Sequence, residues 1–472
     1  MEHLPQDPRP WPVRRDTALQ DTVLQTTLTH VTHRLNNARI AAYRHYPSGE
    51  AARIRAKARK REAIQDWGVL LDQAEEQITA HGGHVKRAAT PEAVGAYVLE
   101  IARQHSVKRV IKSKSMVTEE VQLNAQLEAA GLDVRETDLG EYIIQLAHEK
   151  PSHILAPAAH KNRQQIQRLF VDTVADAGEE VSEDIQELTR FARNKLRQDF
   201  LSADMGITGG NFLVAETGTV VVITNEGNAD MVTTMPRVLV SIIGIEKIVQ
   251  DWDALEDIIQ QPALSGVGQR LSSYTTIISG PRARESWEGP DEWHVVLLDN
   301  GRQNIHGGPY QDVLSCIRCG ACLNVCPVFR QVGGHGYGSV YSGPIGTVLS
   351  PLLGGMDAFG ELPSHLCTMC YACQEACPMD IPLPHEIISL RETAVSERRE
   401  SATVRTQYRL WGQAWSTAAG YRRSVTAARL AQRLAIRRVG LAAGWLHTRT
   451  MPFVSSVTFL EDWAKKHRRG TS

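Results

Sequence analysis

The chain has 472 residues, 42% of them hydrophobic and 22% charged, and a net charge of −1 at pH 7. This composition is ordinary for a soluble globular protein, and the length is too great for one hydrophobic core, so we expect about two to four domains. The polar first twenty residues and the lack of any long apolar stretch argue against a secretory signal and a membrane-spanning helix.

The N-terminal part of the chain predicts two long helices. Apolar residues recur at intervals of three and four over residues 17–46, and a second helical pattern covers residues 51–80. The second helix carries a basic run at residues 52–61. A nucleic-acid-binding patch is one explanation of this run, but it contains no interleaved aromatic residues. We therefore favour a solvated helix face and expect no nucleic-acid partner.

Strand and helix patterns alternate from residue 84 onward. Thr90, Pro91 and Glu92 are typical of a helix N-terminus. Strands are predicted at residues 107–111, 132–136, 152–156, 238–245, 274–279 and 294–298, with a buried pair of strands joined at 216–218. Helices are predicted at residues 118–131, 163–175, 181–201 and 246–260. This alternation predicts an α/β domain over residues 61–300, with a largely parallel sheet covered on both faces.

Two loops of this domain are candidates for ligand binding. The loop after the strand predicted at 107–111 offers ammonium, hydroxyl and backbone N–H groups to a carboxylate or phosphate, although such loops are more often simply solvated. Glu216 is a candidate nucleophile or base, although a surface hairpin acid is commoner. The candidate substrate- or partner-binding residues are Lys112, Ser113, Lys114, Ser115, Glu216, Thr217 and Gly218. No nucleotide-binding or hydrolase motif is present, so no catalytic residue is assigned.

All eight cysteines lie in two runs, residues 316–327 and 367–378, with the spacing C-x2-C-x2-C-x3-C-P. This spacing is typical of [4Fe–4S] ligation in bacterial ferredoxins. Zinc knuckles do not include the third closely spaced cysteine, and disulfides do not require this spacing. Because the fourth cysteine of each run ligates the other cluster in two-cluster ferredoxins, we expect crossed ligation. The expected ligands are Cys316, Cys319, Cys322 and Cys377 for cluster 1, and Cys367, Cys370, Cys373 and Cys326 for cluster 2.

The C-terminal segment is basic. Residues 401–472 contain 13 lysines and arginines but only two acidic residues. The rest of the chain contains 39 lysines and arginines and 51 acidic residues. Arginines over residues 422–438 alternate with leucines in a helical pattern, which predicts a basic amphipathic surface. Such a tail docks to an acidic partner or to a membrane surface, or packs on the acidic body of its own chain. Thiolate ligands without an export signal predict a cytoplasmic protein.

Several motifs of the α/β domain resemble the lactate-utilisation (LUD) domain family. They lie at residues 112–120, 151–160, 204–211, 215–219 and 224–228. With the cysteine runs and the basic extension behind them, their order resembles the iron–sulfur B components of bacterial L-lactate utilisation systems over residues 60–400. The gap of about forty residues between the runs is similar to that of the helical double-cluster modules in succinate and glycolate oxidoreductases.

This resemblance implies a NagB/RpiA/CoA-transferase-like α/β fold, followed by an α-helical double-cluster ferredoxin module, with helical N- and C-terminal extensions. The expected domains are an N-terminal helical segment at 1–60, the LUD domain at 61–300, the ferredoxin-type domain at 301–395 and the basic extension at 396–472. The implied cofactors are two [4Fe–4S] clusters. The implied partners are a cysteine-rich oxidoreductase component and a small LUD-domain component.

Two functions are consistent with the sequence. The first is an electron-transfer component that passes electrons through the clusters while L-lactate is oxidised to pyruvate. The second is a LUD domain that is itself catalytic on a hydroxy acid or acyl substrate, with the clusters as an electron outlet. The oxidation of lactate is a two-electron step, each cluster passes one electron, and no flavin or nicotinamide motif is present. We therefore favour the first.

Overall fold

The computed structural model describes residues 7–46, 48–283, 285–399, 402–433, 454–455 and 457–468. The chain divides into two compact units, residues 1–392 and residues 393–472. Among the described residues, no helix combines the length and the apolar composition needed to cross a lipid bilayer.

The N-terminal residues form a series of helices, which are α1 Trp11–Gln20, α2 Thr22–His45, α3 Ser48–Gln65 and α4 Trp67–Ala80. The prediction of one continuous helix over 17–46 and another over 51–80 is wrong, because each is interrupted. Asp21 ends α1 and caps α2, since its side chain accepts a hydrogen bond of 2.9 Å from the Leu24 N–H. Asp66 separates α3 from α4. The apolar periodicity continues through both interruptions and does not reveal them.

The α/β region contains two sheets. Their strands are β1 His84–Ala88, β2 Arg109–Lys112, β3 Asp133–Glu136, β4 Met205–Thr208, β5 Phe212–Val214, β6 Thr219–Thr224, β7 Val238–Gly244, β8 Ile248–Val249, β9 Tyr274–Ile278 and β10 Glu292–Leu298. The six-stranded sheet has the order β1-β10-β7-β4-β2-β3, and all its neighbouring strands are parallel. Every residue of β7 is buried, as expected for a parallel sheet covered on both faces. The predicted largely parallel sheet is confirmed.

The smaller sheet has the order β8-β5-β6-β9. Strands β5 and β6 are antiparallel and form the buried pair that the sequence predicted, joined by a turn at Gly218. Gly218 has a φ of +64°, and a Cβ atom there would lie 2.6 Å from the backbone nitrogen of Ile78 in α4. Only glycine fits this turn without displacing that helix.

Two other predictions in this region are wrong. Residues 152–156 form bends and not a strand, with the Ser152 N–H donating to the Pro157 carbonyl over 3.0 Å. Pro151 and Pro157 flank the segment, and neither can donate to a strand ladder. Residues 246–260 form a 3-10 turn at Ile245–Lys247, then β8, and only then a helix that Asp251 caps. The helix therefore begins at Trp252, after its N-cap residue Asp251, and not at residue 246.

Among its described residues, the α/β region also contains ten α-helices between residues 91 and 305. They are α5 Pro91–Gln104, α6 Met116–Glu120, α7 Leu123–Ala129, α8 Leu139–Leu146, α9 Arg163–Thr173, α10 Ile185–Ser202, α11 Asn228–Thr234, α12 Trp252–Ile259, α13 Gln261–Val267 and α14 Arg302–Ile305. Thr90 caps α5 as predicted, because its Oγ1 accepts from the Ala93 N–H over 3.3 Å. Val110 and Ile111 point to opposite faces of β2 and belong to different hydrophobic clusters, so both faces of the sheet are buried.

The cysteine runs lie in a helical module that shares a hydrophobic core with the α/β region. Its helices are α15 Ala321–Val325, α16 Pro327–Val332, α17 Gly343–Gly354, α18 Met356–Phe359, α19 Glu361–His365, α20 Ala372–Ala376 and α21 Leu383–Ser396. The shared core includes Phe212 and Trp293 from the sheets and Phe329 and Tyr341 from the cysteine-bearing module. Helix α2 packs against both α13 and α15, so the N-terminal residues also contribute to this junction.

The C-terminal unit contains α22 Ala402–Trp415, α23 Ala418–Arg433 and α24 Phe459–Arg468. Arg429 of α23 donates to the Ser455 carbonyl over 2.8 Å and lies 3.4 Å from the Glu461 carboxylate. The arginine-rich pattern predicted over 422–438 is helical up to Arg433, and its remainder lies outside the described residues.

Candidate metal centre and adjoining pocket

The cysteines gather into two groups of four, and each group combines both runs. The first group lines one cavity and consists of Cys316, Cys319, Cys322 and Cys377. The second consists of Cys326, Cys367, Cys370 and Cys373. Burial raises the pKa of Cys373 to about 12, and the neighbouring thiols Cys326, Cys367 and Cys370 act in the same direction. All eight are free of disulfides, so each group offers four sulfur donors to one centre.

The loops at the start of the two runs have the same backbone shape. Arg318 and Met369, two residues after the first cysteine of each run, have φ values of 59° and 57°. Gly320 and Tyr371, one residue after the second cysteine, have φ values of 71° and 64°. Side-chain-bearing residues rarely adopt this conformation, which is kept where a functional arrangement requires it.

This backbone shape directs N–H groups at the sulfur atoms. The Arg318 N–H donates to Cys316 Sγ over 3.4 Å, and the Met369 N–H donates to Cys367 Sγ over 3.3 Å. Hydrogen bonds to sulfur are one of the means by which proteins tune iron–sulfur clusters. The geometry of both loops therefore fits thiolate-ligated clusters.

A cavity of about 250 Å³ lies between the α/β loops and the first cysteine loop. Its α/β side comes from the loop before α6, the glycine-rich segment after β4 and the turn before α11. Its other side is formed by Ile317, Arg318, Cys319 and Tyr341. The pocket therefore lies between the α/β region and the first group of cysteines.

The candidate binding residues separate in the structure. Ser113, Lys114 and Ser115 line the pocket. Lys112 is fully buried elsewhere, with its ammonium group 2.7 Å from the Glu136 carboxylate and 3.3 Å from that of Glu119. Burial disfavours the charged form, but these carboxylates outweigh it and raise the pKa of Lys112. In the structure, Lys112 is therefore a buried cation that pairs with the carboxylates of the core.

The second candidate loop is not part of the pocket. Glu216, Thr217 and Gly218 form the β5–β6 turn, which packs on α4 through Gly218. The Thr217 hydroxyl lies 2.8 Å from that of Thr219. The structure thus brings Ser113 to Ser115 next to the cysteines and leaves residues 216–218 apart from them.

Comparisons with known proteins agree with these two parts of the fold. A family profile described as the LUD domain matches residues 71–298, and one described as a 4Fe-4S dicluster domain matches residues 312–381. "Lactate utilization protein B" of Geobacillus sp. (strain WCH70) is 41% identical over 97% of both chains. The protein of the same name from Macrococcus caseolyticus (strain JCSC5402) is 45% identical over 82% of this chain and 80% of that one. The chain belongs to the lactate utilization protein B family.

A solved structure is also similar to part of this family member. It is a duf162 family protein from Deinococcus radiodurans, 14% identical, with a TM-score of 0.29, covering 49% of this chain and 98% of that one. The resemblance drawn from the sequence motifs is confirmed by the profiles and the relatives. The dicluster profile and the two cysteine groups also confirm the expected cofactors, two [4Fe–4S] clusters.

The first group of cysteines in this family member lies against a buried network of charged groups. Glu246 accepts hydrogen bonds from Arg302 Nε over 2.5 Å and from Arg318 Nη2 over 3.1 Å. Arg302 also pairs with Glu120 over 2.8 Å. Lys247 donates to the carbonyl oxygen of Cys316 over 3.4 Å. The network thus extends from the end of α6 to Cys316, the first cysteine of the first run.

Positive charge exceeds negative charge in this network. Its buried cations are Lys247, Arg302 and Arg318, and its buried carboxylates are Glu120 and Glu246. Burial lowers the pKa of the neighbouring Lys60 to about 7, so this amine is only partly charged. An uncompensated buried charge costs several kcal/mol. A [4Fe–4S] centre with four thiolates carries a net charge of about −2 when oxidised. The surplus of cations beside Cys316 therefore fits the presence of a cluster there.

His153 joins the α/β region to the cysteine module. Its Nε2 lies 3.1 Å from Asn324 Oδ1, while its Nδ1 accepts from the Leu155 N–H over 3.0 Å. Burial lowers the pKa of His153 to about 4, so the ring is neutral and Nε2 carries the proton donated to Asn324. This histidine is a structural link within the resemblance motif at 151–160.

Sequence reasoning did not identify Glu120, Glu246, Lys247, Arg302 or Tyr341. Glu246 and Lys247 lie two and three residues after Gly244, the last residue of β7, at the carboxyl edge of the sheet, where ligands bind in open α/β folds. That rule would have identified these two residues. The other three come from distant parts of the chain, so their contacts depend on the tertiary fold.

Proposed function

We propose that this protein is the electron-transfer component of a system that oxidises L-lactate to pyruvate. The two groups of four cysteines in one module are the observation that carries this proposal. Each bound [4Fe–4S] cluster supplies a one-electron donor and acceptor. Lactate gives up two electrons together, so a companion component accepts the pair and delivers single electrons to this chain.

We propose crossed ligation of the two clusters. Cluster 1 takes Cys316, Cys319, Cys322 and Cys377, and cluster 2 takes Cys326, Cys367, Cys370 and Cys373. The shared cavity of the first four supports the assignment, because Cys377 lies with the first run and not with its own. The mutual proximity of the second four supports it equally.

We propose that the LUD loops take part in binding and not in electron transfer itself. The position of Ser113, Lys114 and Ser115 in the pocket supports a role in ligand binding. Lys112 would act indirectly, by fixing the strand from which this loop leaves. Residues 216–218 lie apart from the pocket, so a partner is the better candidate for any binding at that turn.

The companion proteins are expected to be a cysteine-rich oxidoreductase component and a small LUD-domain component. The names of the relatives refer to lactate utilization, and electrons must enter and leave the clusters through other proteins. The C-terminal unit is the proposed docking element, with an acidic partner or a membrane surface as its target. Helix α22 presents exposed Tyr408 and Trp411 beside its arginines, which suits a protein partner. A reducing, cytoplasmic setting is proposed because the thiolates must stay free to ligate iron.

Turnover assays with defined components test this proposal. The chain, purified without oxygen, should contain about eight irons and eight sulfides and should be reducible through its clusters. Alone, it should form no pyruvate from L-lactate with an artificial acceptor. Addition of the companion proteins should start turnover, and the Cys373→Ser variant should abolish it. Stoichiometric zinc without acid-labile sulfide would contradict the proposal.

The alternative is that the LUD domain itself acts on a hydroxy acid or acyl substrate, with the clusters as electron outlet. The pocket against cluster 1 is the observation that favours it. The same assay separates the two, because this alternative requires lactate-dependent turnover by the chain alone. A Lys114→Ala variant with full cluster content should then lose activity in the single-component assay.

A further inference from the structure

The pocket shares a wall with the cavity of cluster 1. Ile154, Ile317, Arg318 and Cys319 line both spaces. A ligand in the pocket is therefore separated from cluster 1 by a single layer of protein. Its volume of about 250 Å³ accommodates only a small molecule.

Positively charged side chains dominate the wall nearest the cysteines. Lys114, Lys247 and Arg318 all line the pocket. Lys114 uses one donor on the Leu155 carbonyl over 2.6 Å, and an ammonium group has three. Arg318 is 9% exposed, and its Nη1 is a buried donor without a hydrogen-bond partner among the described residues. Because an unsatisfied buried N–H is costly, this wall suits an anion.

The two carboxyl groups of the pocket accept hydrogen bonds from backbone N–H groups at the N-terminus of α8. Asp138 caps that helix by accepting from the Glu141 N–H over 3.1 Å, and Glu226 accepts from the Leu139 N–H over 3.2 Å. Burial and the nearby Asp138 raise the pKa of Glu226 to about 7. The acidic side of the pocket is thus partly neutralised, and both of its carboxyl groups already accept hydrogen bonds from the N-terminus of α8.

The pocket also contains an unused acceptor. Asn228 is 7% exposed and donates through Nδ2 to Thr137 Oγ1 over 3.1 Å. Its Oδ1 is buried without a partner among the described residues. A ligand that carries a hydroxyl group would satisfy this oxygen.

We propose that this pocket binds a 2-hydroxy acid, with its carboxylate on the wall of Lys114 and Arg318 and its hydroxyl group donating to Asn228. The inference deepens the proposed function and rests on it for the class of acid. A 2-oxo acid has the same carboxylate but no donor for Asn228 Oδ1, so it binds more weakly. Acetate lacks both oxygen functions on the second carbon and binds more weakly still.

Binding and the oxidation state of cluster 1 are coupled by charge. Reduction adds one negative charge behind the wall of Arg318, and this charge repels a bound carboxylate. The ligand therefore binds the oxidised chain more tightly than the reduced chain. By reciprocity, it lowers the reduction potential of cluster 1, by about 59 mV for each tenfold difference between the two affinities.

Calorimetry on the full-length, cluster-loaded chain tests the binding. L-Lactate, pyruvate and acetate are titrated into the oxidised protein in the absence of oxygen. The expected order of affinity is L-lactate, then pyruvate, then acetate. Lys114→Met should weaken L-lactate binding at least tenfold, and Asn228→Leu should remove the preference for L-lactate over pyruvate. Lys108→Met, which changes an exposed lysine outside the pocket, should leave all three affinities unchanged.

Iron content and visible absorbance identify variants that fail to fold, and potentiometry gives a second, independent measurement. Saturating L-lactate should lower the potential of cluster 1 in the wild type and leave that of cluster 2 unchanged. The absence of both heat and potential shift at millimolar L-lactate overturns the inference, as does unchanged affinity in a cluster-loaded Lys114→Met variant. If the companion proteins nevertheless give turnover, the electron-transfer role stands and only the pocket assignment fails.

Discussion

The two cysteine runs have the same spacing and the same backbone shape, yet their surroundings differ. In the proposed ligation, cluster 1 lies where the module meets the α/β region, beside buried Lys247 and Arg318. Cluster 2 lies nearer the surface, since Cys370 is exposed and the neighbouring Tyr371 is 37% exposed. Equal ligation with unequal burial and charge gives two centres of different potential and accessibility.

One pair of equivalent contacts shows how the burial of a neighbouring cation differs between the two clusters. Lys247 donates to the carbonyl oxygen of Cys316, the first cysteine of the first run, over 3.4 Å. Arg391 makes the matching contact to the first cysteine of the second run, Cys367, over 2.8 Å. Lys247 is buried, whereas Arg391 is half-buried and partly screened by water. A buried cation stabilises a reduced cluster more strongly, so cluster 1 should have the higher potential.

Removal of the fourth cysteine of each run should have the largest effect. Under the proposed crossed ligation, Cys377→Ser should remove cluster 1 and leave cluster 2, although Cys377 belongs to the second run. Cys326→Ser should do the reverse. Each variant should retain about half of the eight irons, and electron paramagnetic resonance should identify which signal is lost. Loss of the cluster of the variant's own run would show that ligation is not crossed.

Breaking the buried network should be the next largest effect. Arg302→Met leaves the carboxylates of Glu120 and Glu246 without their cation, which should lower the free energy of unfolding by about 3–5 kcal/mol. Cluster 1 should then lose iron at a lower urea concentration than cluster 2. Arg109→Met removes a partly exposed pair with Asp133 and should change stability by less than about 1 kcal/mol. Equal effects of the two variants would show that the buried network does not stabilise this junction.

Removing the positive charge of Lys247 should lower the reduction potential of cluster 1. We expect Lys247→Met to lower the reduced-to-oxidised ratio of cluster 1 at least tenfold at a fixed electrode potential, a shift of about 59 mV. The matched Arg391→Met variant should shift cluster 2 in the same direction by less. Redox titration followed by electron paramagnetic resonance measures both. A larger shift in Arg391→Met than in Lys247→Met would contradict the role assigned to burial.

A smaller effect is expected from pH. The pKa of Glu226 is raised to about 7 by burial and by Asp138, while the Leu139 N–H and Lys114 act against this rise. As pH rises through 7, Glu226 becomes negative in the pocket beside cluster 1, so reduction of that cluster becomes less favourable. The potential of cluster 1 should therefore fall between pH 6 and pH 8, by less than about 59 mV.

Glu226→Gln is the control for this dependence, because it cannot ionise at the same position. Its cluster 1 should show a smaller change with pH than that of the wild type. Cluster 2, which lies away from the pocket, should behave alike in both proteins. An identical pH dependence of the cluster 1 potential in wild type and Glu226→Gln would show that a group other than Glu226 causes it.

The sequence was sufficient for the parts that depend on local chemistry. The spacing of the cysteines predicted the clusters, and the apolar run of β7 predicted a buried parallel strand. The loop at Ser113 to Ser115 was predicted as a binding loop because it follows a strand and precedes a helix, and the structure places it at the pocket. Lys112 was predicted as a binding residue together with this loop, whereas the structure places it at the end of β2 with its side chain in the core.

Other features depend on contacts between distant parts of the chain. Glu120 and Arg302 are 182 residues apart, and no local pattern indicates that they pair. Similarly, the bends at 152–156 contain strand-like residues, but His153 is held by Asn324 of the cysteine module. The surroundings that distinguish the two clusters arise from such contacts, so they become visible only in the folded chain.

The central claim is that the chain carries electrons from lactate but receives them from a companion. The direct measurement mixes the oxidised, cluster-loaded chain with L-lactate and records the electron paramagnetic resonance of both clusters, with and without the companion proteins. We predict that the clusters are reduced only when the companions are present, with pyruvate formed in proportion. Reduction of the clusters by L-lactate in the chain alone, with one pyruvate formed for each pair of clusters reduced, would contradict the claim and make the LUD domain the catalyst.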